Sequence, residues 1–394
     1  MPMCGPTPVR ILAVIDGLGT GGAERSLAEL VPLLKVRGFE FEVAFFHDRH
    51  PGVEDLLRKD DVPLRRIRGR NWIIRCARLR REIRRFEPAL VHATLVGPSI
   101  TARAAAAGTG VPVLTTLVGT TYTPPAPLSG KGFRPAFIRA VDSWTARHLN
   151  AGFQAISHAV ADDAAAHLGI SENSVTVIPR GRGRARLGWP SPGRSERVRH
   201  QLAVPYDAEL VVSVGRQEER KGHVTLVEAW AGIAAARPRA HLVIAGRPGL
   251  ASPAIGRALD TLPVEARRRV HLVGHTEDVG DLLSASAVFV FPSLHEGLGG
   301  ALLEALAMSM PVVASDLPAF REFVVPGENA ILVPPGCARA FAEAIVRLLD
   351  DDPLRGRMAA ANLELFEQRF QLDAIAQHTE RLYREVAAIR DEIS

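Results

Sequence analysis

Lysine is nearly absent from this chain. Only four of its 48 basic residues are lysines: Lys35, Lys59, Lys131 and Lys221. That bias reflects genome composition as much as function. The net charge of +5, from 48 basic and 43 acidic residues, is too small an excess to argue for nucleic acid. It is equally compatible with an anionic substrate or a membrane surface. Cysteine is also scarce. Cys4, Cys76 and Cys337 lie far apart, show no metal-ligand spacing and cannot all pair internally, which points to a reduced cytoplasmic compartment. No run approaches the roughly 18 apolar residues of a membrane-spanning helix. The first ten residues are short for a signal peptide, and Ile11–Ile15 leads into a glycine loop rather than a small-residue cleavage site.

What is present is a long alternation of strand-like and helical patterns over 394 residues, of which 47% are apolar and 23% charged. Strands read at 9–16, 41–46, 64–67, 90–93, 113–117, 153–157 and 175–179. Helical periodicity falls at 22–37, 72–86, 99–107 and 135–149. Residues 180–197 carry Gly181, Gly183, Gly188, Pro190, Pro192 and Gly193 without periodicity, and read as a linker. The pattern restarts with strands at 209–214, 241–245, 270–273, 287–291, 311–314 and 330–333, and ends in a helix from 373. The expectation is α/β: two Rossmann-like doubly wound parallel-sheet domains, 1–188 and 189–372, facing a central cleft, with 373–394 packing back on the first. Ligands of such sheets bind beyond the carboxyl ends of the strands.

The first strand runs into Gly17-Leu-Gly-Thr-Gly-Gly-Ala-Glu24, which opens a helix. Glycines admit an anion close to the backbone, and the helix start offers N–H groups. Gly17, Gly19 and Gly22 also match the dinucleotide spacing, with Asp48 at the end of the second strand. A structural strand–helix turn is the third reading. In the second half, Val214-Gly-Arg-Gln-Glu-Glu-Arg-Lys-Gly222 follows a strand. Arg216 and Lys221 there are suited to neutralising a diphosphate as charge builds on a leaving group, and a solvated charged loop is the structural reading beside it.

The most informative stretch is Phe291 to Ala305. Glu296 precedes a glycine-rich turn, and Glu304 lies in the helix that the turn opens. One carboxylate accepting two hydroxyl hydrogen bonds suits a ribose diol, a role for Glu304. The N–H groups of Leu298–Ala301 suit phosphate or sugar oxygens. A structural reading makes Glu296 a negative residue favoured by the dipole near a helix start, and Glu304 a charge on a helix face. Against it stand Leu302, Leu303, Ala305 and Leu306, apolar surroundings in which an unpartnered charge is costly. His92, His158, His223, His275 and His295 show no metal spacing. His275, after a second-half strand, is a candidate for the nucleotide-base pocket, and His92 reads as a partly buried strand-end residue.

Gly215-Arg216, Lys221-Gly222, Glu296 with Glu304, and Pro311-Val-Val-Ala-Ser315 resemble the retaining glycosyltransferases of family 4, and Gly21–Glu24 is similar to that family's acceptor-side loop. The resemblance implies the GT-B fold and sugar transfer from a nucleotide-diphosphate sugar, a UDP- or GDP-sugar, with net retention by front-face attack. It implies no metal or other cofactor. By resemblance Arg216 and Lys221 hold the diphosphate, and Glu304 holds the ribose. Glu296 and the following backbone of Gly297, Leu298, Gly299 and Gly300 hold the donor sugar. Gly21 and Gly22 lie on the acceptor side. Arg216, Lys221 and Glu296 are then the candidate catalytic residues. The chain departs from the family at three places. The histidine after the fifth strand is absent: Val118 stands in its slot, with Thr120, Thr121 and Tyr122 as acceptor-side substitutes. Arg180 replaces an asparagine, and Ser309–Met310 replaces the glycine before Pro311.

The acceptor class left open is lipid-linked or small. Residues 71–87 form an amphipathic helix bearing Arg75, Arg78, Arg80, Arg81, Arg84 and Arg85, with Trp72, Cys76, Leu79, Ile83 and Phe86 as its apolar stripe. It suits either sheet packing with a solvated outer face or peripheral contact with the inner face of a membrane. Two other readings stand beside transfer. One is an NAD(P)-dependent oxidoreductase built on Gly17–Gly22 and Asp48. The other is a non-catalytic nucleotide-sugar binder.

Overall fold

The computed structural model describes residues 8–49, 52–124, 128 and 132–393, so Cys4 and Lys131 lie outside the described residues. It divides into two units, 1–181 with 372–394, and 182–371. The stretch 182–188, counted with the first half in the sequence reading, thus lies in the second unit.

The first unit holds seven parallel strands: β1 (Val9–Gly17), β2 (Phe39–His47), β3 (Leu64–Arg66), β4 (Leu90–Thr94), β5 (Val113–Leu117), β6 (Gly152–Ala155) and β7 (Val175–Val177). Their order is β3-β2-β1-β4-β5-β6-β7. Strand alternation in β1 explains the layering. Ile11, Ala13 and Ile15 face Phe41, Val43 and the helix Gly22–Lys35. Leu12 and Val14 face Leu79, Ile83, Phe86 and Ala102 on the opposite side. Right-handed crossovers set this division: connections running toward β7 lie on one face, and those running toward β3 on the other. The terminal helix Leu372–Ile393 joins the face of Gly22–Lys35 and buries Ile375, Leu382, Tyr383 and Val386 there.

The second unit holds β8 (Glu209–Val214), β9 (Ala240–Ala245), β10 (Val270–Gly274), β11 (Val288–Phe291), β12 (Val312–Ser315) and β13 (Ile331–Val333). Their order is β10-β9-β8-β11-β12-β13, again all parallel. Trp230 is fully buried in this core and donates its indole N–H to the Ala266 carbonyl at 3.0 Å.

The stretch read as a linker is partly helical, with helices Arg184–Leu187 and Pro192–Leu202. Pro192 suits the first turn of a helix, where its missing N–H costs nothing. The second helix has little apolar pattern because only Val198 is buried. Arg194 and Arg197 tie it instead to Asp281.

At the end of the helix Gly300–Ala307, Ser309 adopts φ +58, and Met310 N–H returns to the Ala305 carbonyl at 3.0 Å. This left-handed helix end favours glycine, so the departure at Ser309 carries a backbone cost. Ser309→Gly is expected to stabilise the protein by about 1 kcal/mol. Urea unfolding of the two proteins checks this, and equal midpoints would contradict it.

Candidate active site

The order of the second sheet reverses between β8 and β11, which pair directly. Their following loops therefore diverge from one point, the place where doubly wound sheets bind ligands. The loops are also joined to each other, since Leu294 N–H donates to the Arg220 carbonyl at 2.8 Å. Gly222 closes the first loop with φ +67, and a side chain there would overlap the Pro292 carbonyl oxygen. Glycine is required at that position both by conformation and by space.

Lys221 and Glu296 meet at this junction. The Lys221 ammonium donates to Glu296 Oε1 and lies 5.0 Å from the centre of the Phe291 ring. Arg220 donates to the same oxygen at 2.9 Å, and Ser293 Oγ at 3.4 Å. Both Lys221 and Glu296 are largely buried, so their pairing is less screened than a surface ion pair. Arg216, also expected here, stays exposed and pairs with Glu218 at 3.2 Å. Arg220 is the cation that the sequence reading passed over. Its signal was adjacency to Lys221 within a loop too charged to rank.

Glu304 is buried in the helix Gly300–Ala307, among Leu302, Leu303, Ala305 and Leu306. Its Oε1 lies 3.6 Å from Nε of Arg182, itself buried. The Arg182 guanidinium covers Gly300, where a side chain would collide with it. The required counter-charge thus comes from a residue 122 positions away, beyond any local pattern. Gly299 precedes the helix with φ +82, and a Cβ there would stand 2.7 Å from the Phe291 ring. Its carbonyl takes the Leu302 and Leu303 N–H groups, leaving the amides of Gly300 and Ala301 as donors at the helix end. Gly297 and Leu298 are buried, so they offer backbone rather than side chain. His275 is exposed after β10, the edge strand two places from β8.

His223 begins the helix that follows Gly222 and is almost fully buried. Burial, helped by the Lys221 charge, lowers its pKa to about 4.

In the first unit, Gly21 caps the helix Gly22–Lys35, and a Cβ on Gly22 would lie 2.6 Å from the Arg180 guanidinium. Thr120 and Thr121 remain half-buried. Tyr122 departs from the acceptor-side expectation because its ring is in the core. Its hydroxyl donates to Asp142, and its N–H to Asp163 at 3.3 Å. Asp142 in turn accepts from the buried Arg103 at 2.6 Å. Burial and the Asp142 charge push the Tyr122 pKa up, so it acts as a lock in this network. The dinucleotide elements are engaged otherwise: Asp48 pairs with Arg66 at 2.5 Å, and Arg49 lies against Gly17 and Gly19 while pairing with Asp16 at 2.6 Å. Behind the helix Gly22–Lys35 is a cavity lined by Ser26, His92, Thr116, Gln154 and Tyr383. His92 bridges Tyr383 and Thr116, each at 2.6 Å, and burial lowers its pKa to about 4.

Two family models match the chain: Glycosyltransferase Family 4 over residues 20–183, and Glycosyl transferases group 1 over residues 208–351. A lipopolysaccharide core biosynthesis glycosyltransferase, LpsE of Rhizobium meliloti, is 36% identical over 177 residues, 45% of this chain and 50% of that protein. A phosphatidyl-myo-inositol mannosyltransferase of Mycobacterium leprae is 35% identical over 195 residues, 48% of this chain and 50% of that protein. The chain spans about half the length of these curated relatives. The crystal structure of Anabaena HepE in complex with UDP superimposes with a TM-score of 0.82 at 20% identity, covering 95% of this chain and 100% of that one. At that identity the likeness establishes the fold.

The buried histidines set a pH dependence. An unfolded histidine takes up a proton near its ordinary pKa of 6.5, whereas folded His223 resists protonation down to about 4. Unfolding therefore gains a proton in that window, so the stability His223 contributes is whole above about pH 6.5 and is lost as pH falls toward 4. Urea unfolding across this range should show stability rising with pH, less steeply in His223→Gln. An unchanged slope in the variant would remove His223 as a source.

Proposed function

Because the chain belongs to the glycosyltransferases of family 4 and has their GT-B fold, we propose that it transfers a sugar from a nucleotide-diphosphate sugar to a hydroxyl acceptor. The observation that carries this reading is the meeting of Lys221, Arg220 and Glu296 at the β8–β11 switch point, with buried Glu304 on the adjoining helix. Cations there neutralise the diphosphate, and they gain most as negative charge develops on the leaving group. In our scheme Lys221 serves this role directly, with Arg216 turning in from solvent. Glu304 accepts the two ribose hydroxyls while Arg182 steadies its charge, and Glu296 with the Gly297–Gly300 backbone holds the sugar. The hydroxyl proton of the acceptor passes to a leaving phosphate oxygen as the new glycosidic bond forms on the face the diphosphate leaves. The product therefore retains the anomeric configuration, and no protein nucleophile is needed.

UDP as the donor nucleotide is supported by the UDP bound in the HepE structure. The names of the two relatives make a lipid-linked acceptor a natural fit. The first unit supplies the acceptor side in this scheme, through Gly21, Gly22 and the Thr120–Thr121 loop. We assign the reaction to the cytoplasm, with no metal or organic cofactor. The oxidoreductase reading finds no support among the relatives.

Glu304→Gln should weaken UDP binding by about 1.5–3 kcal/mol, on the order of ten- to a hundredfold in affinity. Lys221→Ala should lower turnover more than it weakens binding of the intact nucleotide sugar. Calorimetry on folded variants with donor-hydrolysis rates tests both. Unchanged UDP affinity in Glu304→Gln removes that residue from the site, and equal losses for Lys221→Ala confine its role to ground-state binding.

Turnover should persist in excess chelator. The first product should show the donor's anomeric configuration by proton NMR. Activity restored to chelated enzyme only by magnesium or manganese, or an inverted centre, would overturn the scheme.

A further inference from the structure

The helix Phe133–His148 turns an aromatic ridge toward solvent. Phe133, Phe137 and Trp144 are 84%, 59% and 54% exposed. They fall four and seven residues apart, on one face of the helix. Phe133 and Phe137 stack at 6.1 Å, and Trp144 lies 5.3 Å from the His148 ring. The helix is not short of core contacts: Thr145 and Ala146 are buried, and Asp142 pairs inward with Arg103. The ridge is therefore additional to what holds the helix on the sheet.

The neighbouring surface has the same character. Helices Trp72–Phe86, Val96–Ala106 and Phe133–His148 are successive crossovers toward β7 and so share one face of the sheet. Val96–Ala106 packs between the other two. Trp72–Phe86 buries Leu79, Ile83 and Phe86, while its outer face runs from exposed Ile73, Ile74 and Ala77 to exposed Arg78, Arg81, Arg84 and Arg85. The two outer helices carry nine arginines against Glu82 and Asp142, more positive charge than the net +5 of the whole chain. Asp142 is buried and Glu82 is held by Arg85, so no unpaired acid offsets them on either outer face.

We propose that this face docks on an anionic bilayer, with Phe133, Phe137 and Trp144 entering the headgroup boundary and the arginines meeting lipid phosphates. Phenylalanine and tryptophan beside guanidinium groups is the composition of a monotopic contact. A protein partner would be served by the aromatic ridge alone, but the concentration of arginine on the same face selects a negatively charged surface. No helix among the described residues is long and apolar enough to cross a membrane, which fits a contact that lies on the bilayer. This inference goes beyond the proposed reaction and is read without activity.

The test is co-sedimentation of the full chain with vesicles of phosphatidylcholine, with and without phosphatidylglycerol. The chain should sediment only with the anionic vesicles. Binding should fall about tenfold or more in Phe133→Ser with Phe137→Ser, and should weaken and lose salt sensitivity in Arg81→Gln with Arg84→Gln. In a Trp72→Phe, Trp189→Phe background, anionic vesicles should shift the emission of exposed Trp144 to the blue, since the other remaining tryptophan, Trp230, is buried already. Sedimentation equal with neutral and anionic vesicles would overturn the proposal. So would unchanged binding in the folded double-serine variant, or no shift of Trp144. A dimer in solution that the double-serine variant abolishes, without vesicle binding by the native chain, would make the ridge a self-association surface instead.

Discussion

Everything chemical in the second unit depends on the handedness of parallel connections. Parallel pairing puts every strand's carboxyl end at one edge of the sheet, and right-handed crossovers send the connections on the two sides of an order reversal to opposite faces. The reversal of order between β8 and β11 leaves their two loops with no crossover covering the gap between them. Lys221 and Glu296 are 75 residues apart in sequence and share a hydrogen bond only because of that reversal. The ion pair is in this sense a product of topology, and the glycines at 222 and 299 are the local concessions that let the backbone reach it.

Each carboxylate of the site comes with its own arginine. Glu296 accepts from Arg220 as well as Lys221, and Glu304 lies against Arg182. A bare buried carboxylate would tend to protonate, and would then donate where it needs to accept. The arginines balance the charge of both carboxylates within the second unit itself. On the proposed reading, a donor would then enter a site already internally compensated. It gains from rearranging existing charge pairs rather than from meeting isolated charges, and such exchange tends to favour selectivity over raw affinity.

The sequence made the fold legible because buried parallel strands are short apolar runs, and each run from 9–16 to 330–333 stood between helical or loop signals. The failure at 180–197 has the same physical root. The helix Pro192–Leu202 buries one residue and is held by ion pairs to Asp281, so it leaves no hydrophobic period to read. At the site, Lys221, Glu296 and Glu304 were legible from loop position and from the cost of a charge in apolar surroundings. Arg182 was not, because its partner is distant in the chain. Tyr122 misled because a hydroxyl beside a loop looks the same in sequence whether it faces substrate or a buried aspartate.

The backbone bond from Leu294 to the Arg220 carbonyl has a consequence for how such an enzyme diversifies. It ties the loop that carries Arg220 and Lys221 to the loop that carries Glu296. Lengthening or shortening either one would drag the other out of register. On the proposed reading, a change of donor preference is then easier by exchange of side chains on this frame than by exchange of one loop, and a graft into this chain should carry both loops together.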